Sequence, residues 1–249
     1  MGETHPNRTI IRVTGEERES FLQGLVSNNV TGIGALSYAA LLTPQGKYIA
    51  DFFLLPEGDG ILIDVQSALA GGLVQKLKMY KLRAKVELEI TNKYAIRGTG
   101  DRPEGAHDDP RHPALGWRLY SDTPGGDPVI DWDAIRVAHC IPETGVELDG
   151  DAYILEAGFD RLHGVDFRKG CYVGQEVTAR MKHKTALRKG FVTVSVEGDA
   201  APGTPVLTED GKEAGRLTTV SGGKAIAYLR FDRATGPMRA GGATVTWTP

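Results

Sequence analysis

Lys169-Gly170-Cys171-Tyr172-Val173-Gly174-Gln175-Glu176 is the stretch of this chain whose residue types and spacing offer the most chemistry. Glycines at 170 and 174 bracket Cys171 and Tyr172, so the backbone can bend closely around whatever sits there. Arg168 and Lys169 come just before the thiol, and a neighbouring positive charge favours the thiolate. Such a thiolate is a nucleophile, a persulfide carrier or one ligand to a soft metal. The competing reading is a quiet cysteine buried in a structural turn, the common fate of free cysteines.

The elements that must position this thiol belong to a chain of 249 residues, enough for one large domain or two to three small ones. With 41% hydrophobic and 24% charged residues the composition is that of a globular protein, and 32 glycines point to many turns and short strands. A net charge of −3 exerts no general pull on nucleic acid or anionic membranes. Two cysteines, Cys140 and Cys171, can neither build a disulfide framework nor fill a four-ligand metal site by themselves. The first dozen residues lack the apolar core of a signal peptide, and no run of about 18 apolar residues is present. These features predict a reducing, cytoplasmic setting and no membrane partner.

Thr9–Val13 reads as a strand, followed by a helix that Thr14 caps with Glu17 as the reciprocal half of a capping box. Ser37–Leu42 and Ile49–Leu55 form a hairpin across Thr43-Pro44-Gln45-Gly46-Lys47, where Pro and then Gly supply turn chemistry. Gly60–Val65 is a strand. Leu69, Leu73, Leu77 and Tyr80 mark a helix face, and Val86–Ile90 and Tyr94–Gly98 alternate as strands. Residues 99–114 form a loop, Asp131–Ala138 a helix, and Asp151–Asp166 irregular structure leading to the octapeptide. From Leu187 onward five short strands separated by glycine turns predict a small closed barrel. The division is residues 1–186 and 187–249.

The octapeptide resembles the defining motif of the YgfZ family, folate-binding relatives of the glycine-cleavage T-protein. Phe21-Leu22-Gln23-Gly24, Leu42–Lys47, Met79-Tyr80-Lys81-Leu82-Arg83, Leu155-Glu156-Ala157-Gly158 and Ala225–Arg230 are similar to family blocks, in family order. The resemblance implies an α+β fold of T-protein-like modules around a central channel holding tetrahydrofolate or a one-carbon derivative, with a C-terminal β-barrel. It implies support of 4Fe–4S proteins, among them radical enzymes that modify tRNA, with Cys171 as the residue tied to that role and Lys169 beside it. Tyr172, Gln175 and Glu176 come with the motif as cofactor-contacting candidates. One of two folate-associated tryptophans maps onto Trp132; the other falls on the first strand, where this chain has Arg8. The T-protein's acidic pair after its second hairpin strand maps onto Ala50 and Asp51, so one acid is lost. Asp51 either meets a pterin or folate nitrogen or is a solvated strand-face carboxylate.

Lys76, Lys78, Lys81, Arg83 and Lys85 fall within ten residues without an acid, and Arg180, Lys182, Lys184, Arg188 and Lys189 follow the octapeptide. They are solvated helix and loop residues, or a positive rim for the polyglutamate tail of folate or an acidic partner. A tRNA footprint is the weaker reading, because no RNA-binding motif accompanies the charge. His163 and His183 read as polar loop residues, and no spacing suggests a metal site. The functional expectation is a folate-dependent assembly factor rather than an enzyme; the alternative is a tetrahydrofolate-dependent one-carbon transferase.

Overall fold

The computed structural model describes residues 2–184 and 186–249, Lys184 by its backbone alone. Two units emerge: one takes in the chain up to Ile130 together with Phe159–Ala179, the other Asp131–Gly158 and Arg180–Pro249. In chain order the first contains β1 (Glu3–Thr4), β2 (Arg8–Thr14), α1 (Arg18–Gln23), β3 (Ser37–Leu42), β4 (Tyr48–Glu57), β5 (Gly60–Gln66), α2 (Ser67–Lys81), β6 (Glu87–Ile90), β7 (Tyr94–Gly98), β8 (His107–Asp108) and β9 (Trp117–Ser121). Then come α3 (Trp132–His139), α4 (Gln175–Lys184), β10 (Lys189–Glu197), β11 (Pro205–Thr208), β12 (Glu213–Ser221), β13 (Lys224–Arg230), β14 (Met238–Ala240) and β15 (Ala243–Thr246).

The first unit has a five-stranded antiparallel sheet in the order β3-β4-β5-β2-β6 and a four-stranded sheet in the order β1-β7-β9-β8. Side chains alternate across a strand. On the larger sheet Ile11, Val13, Ala50, Phe52, Ile63 and Val65 therefore face the apolar core shared with α1 and α2. Their neighbours in sequence, Arg8, Asp51, Phe53 and Asp64, come out on the opposite face with Tyr38. Both faces of this sheet are buried, and its opposite face carries charge.

In the second unit β10-β13-β12-β11-β14-β15 close into a barrel, β10 pairing with both β13 and β15. Closure leaves no open edge, and alternate residues such as Val194, Val206, Leu217, Ala227, Leu229 and Val245 fill the interior. The sequence places a boundary near residue 186, and the barrel strands do begin at Lys189. Residues 131–158, however, group with the barrel, because α3 lies on β12, β13 and β10.

Three other expectations need correction. The capping box is absent: Thr14 ends β2, and Glu17 precedes α1 without capping it through its side chain. Gly15 intervenes at φ +106, where a Cβ would lie 2.1 Å from the Lys85 carbonyl oxygen, and Glu17 Oε2 accepts the Lys85 amide at 2.6 Å instead. The residues after the octapeptide are helical (α4), so His183 and the basic residues 180–184 sit on a helix rather than a loop. Strands β9 and β14, unassigned from sequence, complete the smaller sheet and the barrel.

Candidate functional site

The octapeptide runs from the loop before α4 into its first turn, and its residues alternate between buried anchors and exposed groups. Lys169 is 8% exposed, and its ammonium donates to the carbonyl oxygens of Gln23 (2.9 Å), Val26 (2.5 Å) and Asn28 (2.8 Å), at the end of α1 and just beyond it. An ammonium has three hydrogens, and this geometry commits all three. Burial lowers its pKa from 10.5 to about 8, against the opposing charge of Asp166. Tyr172 is the second anchor: its ring is buried, 5.0 Å from the Lys169 nitrogen.

Between these anchors Gly170 and Cys171 are exposed. The two glycines have different reasons to be there. Gly174 has φ +85, and a Cβ would meet the Thr43 carbonyl oxygen at 2.7 Å and Leu42 Cβ at 2.9 Å, so the β3–β4 turn packs directly on the octapeptide backbone. Gly46, in that turn at φ +75, is equally tight against Val177. At Gly170 an added Cβ meets nothing within 4 Å. The thiol therefore stands on a loop pinned to α1 by Lys169 and to the hairpin by Gly174. The reading of Cys171 as a buried, inert cysteine is wrong, since the residue is exposed. The Arg168 side chain is 96% exposed, with Nε 3.9 Å from Asp166, so neither cation is disposed solely toward the thiol.

Asp51 is neither solvated nor open. It is 4% exposed, and its two oxygens accept from the hydroxyls of Tyr38 (2.8 Å) and Tyr48 (2.6 Å). Around it lies a buried charged cluster. Arg8 pairs with Asp64 at 2.6 Å, Arg118 bridges Asp64 (3.1 Å) and Asp109 (2.9 Å), and Arg111 grips Asp109 at 2.8 Å. Tyr120 donates to Asp64 at 3.0 Å. The guanidinium carbons of Arg118 and Arg111 lie 3.9 and 4.8 Å from the Phe53 ring centre, a cation–π arrangement. Three arginines thus meet three aspartates, which neutralises the cluster internally. Burial alone would raise the Asp109 pKa, but Arg111 and Arg118 outweigh it and hold the carboxyl well below 3.8. Burial, seconded by Arg118, pushes the His5 pKa well below 6.5.

A family model described as the CAF17 C-terminal beta-barrel domain matches residues 188–249. The mitochondrial iron–sulfur cluster assembly factor IBA57 of Mus musculus is 32% identical, over 93% of this chain and 78% of its own length. The chain belongs to the IBA57 family. The Homo sapiens protein is 30% identical over the same shares, and the Mycosarcoma maydis homologue 32% identical over 76% of this chain. The chain spans 56% of the length of that fungal relative. This corrects the YgfZ resemblance by one step, because YgfZ is the bacterial relative in the same fold family. In fold the chain is similar to glycine cleavage system aminomethyltransferase T from Bartonella henselae, with a TM-score of 0.80 and 12% identity over 99% of this chain and 84% of that one. The T-protein-like α+β fold with a C-terminal barrel is as the resemblance implies, the barrel having six strands where the sequence marks five.

The remaining candidates fall in both units of this IBA57-family chain. Gln175 is half-buried and Glu176 exposed, in the first turn of α4. Trp132 opens α3 in the second unit, 9% exposed, behind Asp131, whose side chain caps the Ala134 amide at 2.9 Å. His163 lies in a turn at φ 56. Of the basic residues after the octapeptide, the Lys184 side chain lies outside the described residues. No helix of the described residues is long and apolar enough to cross a membrane. Sequence reasoning missed the cluster of Arg111, Arg118 and Asp109 altogether; the one available signal was Arg8 where a tryptophan was expected.

Proposed function

We propose that this chain matures iron–sulfur proteins and that the Cys171 thiol is its working group. One observation carries the reading: an exposed thiol is held by a loop whose neighbours are pinned at Lys169 and Gly174. A pinned loop presents its sulfur in a fixed direction, which suits transient capture of iron or sulfur from another protein. A lone thiol supplies one ligand, so any cluster bound there takes its other ligands from elsewhere. The clients proposed are 4Fe–4S proteins, including radical enzymes of tRNA modification. Cys171→Ser tests the role of the thiol, because an exposed serine fits without a cavity. Thermal unfolding should be unchanged, while a client enzyme's activity in cells relying on this chain is lost. Full client activity with the serine variant refutes the assignment.

Tetrahydrofolate, which the T-protein resemblance implies, finds no fitting carboxylate at Asp51. A pterin-binding carboxylate must be reachable by the ligand, and Asp51 is 4% exposed with both oxygens facing tyrosine hydroxyls inside a buried cluster. The same burial disfavours a one-carbon transferase, which needs a carboxylate within reach of the reacting nitrogen. No step of the proposal runs through the cofactor. A saturable calorimetric signal for tetrahydrofolate that Asp51→Asn abolishes, with the fold intact, would return Asp51 to the ligand set.

A further inference from the structure

The solvent face of α2 and the turn that ends it serve no purpose described so far. Ala70, Leu73 and Leu77 bury one side of this helix. The other side presents Gln75 and Met79, four residues apart on one face, and Leu82 follows directly at the helix end. Met79 is 68% exposed and Leu82 87% exposed. Leu82 is held out by its backbone, with φ 44 and ψ −102, a conformation that branched L-residues avoid. Strain that keeps an apolar side chain in water is unusual unless something covers that side chain.

The charges around this pair are in positive excess. Lys81 pairs with Glu87 at 3.0 Å and Lys85 with Glu16 at 3.1 Å. Lys76, Lys78 and Arg83 have no ion pair among the described residues. Farther up the same helix Gly71 and Gly72 are exposed, and an added Cβ at either meets nothing within 4 Å. Internal packing therefore does not require these glycines, although glycine weakens a helix. Their effect is a flat approach beside the apolar pair.

We infer that this face docks an acidic amphipathic helix of the client apoprotein. The inference rests on the maturation role proposed above. The exposed Met79 and Leu82 supply the desolvated centre, and Lys76, Lys78 and Arg83 supply the rim that selects an acidic partner. The face belongs to the same unit as Cys171, so a docked client and the thiol are carried on one body. A protein is favoured over nucleic acid because the centre of the face is apolar.

The probe is the purified apo form of a 4Fe–4S enzyme whose activity falls when this chain is removed from cells. Calorimetry against the full chain should give a binding signal that weakens by about tenfold or more in Lys78→Glu with Arg83→Glu, and similarly in Leu82→Gly. The glycine variant relieves the strained backbone, so a lost fold cannot explain its effect. Lys224→Glu on the barrel should bind as the parent does. Cys171→Ser should bind with parental affinity yet fail to support activity, which separates docking from thiol chemistry. Parental affinity in both α2 variants, or no affinity of the parent chain for the apoenzyme, overturns the inference. Sedimentation of the parent but not of the α2 variants with phosphatidylglycerol vesicles also overturns it, because the face would then be a membrane seat.

Discussion

Replacing Lys169 by methionine should separate the two roles this residue can play, holding the thiol loop or charging the thiol. Methionine keeps most of the apolar stem and removes three donors. The Val26 carbonyl is buried at its bond to Lys169, so it is left unsatisfied at a cost of about 1–3 kcal/mol. The Gln23 and Asn28 carbonyls are partly buried and can take water, at about 0.5–1 kcal/mol each. Against this, the folded state no longer has to bury an ammonium, an expense visible in a pKa brought down to about 8. These losses come to about 2–5 kcal/mol, the relief offsets a large part of them, and the net is a loss of about 1–2 kcal/mol, or about 2–8 °C in melting temperature for a chain of this size. Urea unfolding followed by circular dichroism measures it, and iodoacetamide alkylation of Cys171 below the transition reads the thiol. Clamping predicts lower stability and an alkylation rate per folded molecule within about twofold of the parent. Unchanged stability with a manyfold slower alkylation would refute the clamp and restore Lys169 as the group that charges the sulfur.

The octapeptide glycines should behave oppositely. Gly174→Ala collides with the Thr43 carbonyl at positive φ and should cost about 3 kcal/mol or more in an unfolding titration, whereas Gly170→Ala should be nearly silent. Acid unfolding should proceed in two steps with assignable causes. His5 has its folded pKa depressed, so the unfolded chain binds more protons below pH 6.5, and stability falls as pH drops from there. Asp109 is likewise depressed, so its contribution is complete above 3.8 and is lost as pH falls below that value. His5→Asn should remove the first slope and Asp109→Asn the second, as read by melting temperature against pH; a parental curve in both variants would show that the buried cluster is not what titrates.

Local signals and long-range pairing were unequally legible in the sequence. The β3–β4 hairpin reads directly from Pro44 and Gly46, and the barrel from its regular glycine turns, because turn chemistry acts over a few residues. Helix α4 was hidden: its residues Gln175–Lys184 are mostly polar or charged, with no apolar stripe to mark a period. Its first turn is fixed instead by the hairpin against Gly174 and Val177, more than a hundred residues earlier in the chain. Thr14 and Glu17 satisfied the capping-box spacing, yet the close approach of Lys85 to Gly15 overrode it. A spacing rule records what a segment can do alone, and tertiary contact decides between its options.

The charged cluster shows the same limit at the level of function. Reading Asp51 alone, a carboxylate on a hairpin strand in a folate-binding fold is open to either a ligand or water. Its fate was decided by residues that local pattern cannot connect to it. Strand register puts Arg8, Phe53 and Asp64 on one face of the sheet, and β9 brings Arg118 and Tyr120 onto that face from more than fifty residues away. Once three arginines are buried there, three carboxylates must be buried with them, since an unpaired buried charge costs several kcal/mol. Asp51 then serves the cluster, where its oxygens accept from Tyr38 and Tyr48 and the residue is buried. Arg8 on β2 makes this sheet face a charged one, and the carboxylates opposite it pair with it and with Arg118. The exposed thiol of Cys171 is held by other means: Lys169 donates to three backbone carbonyls, and Gly174 packs on the hairpin turn.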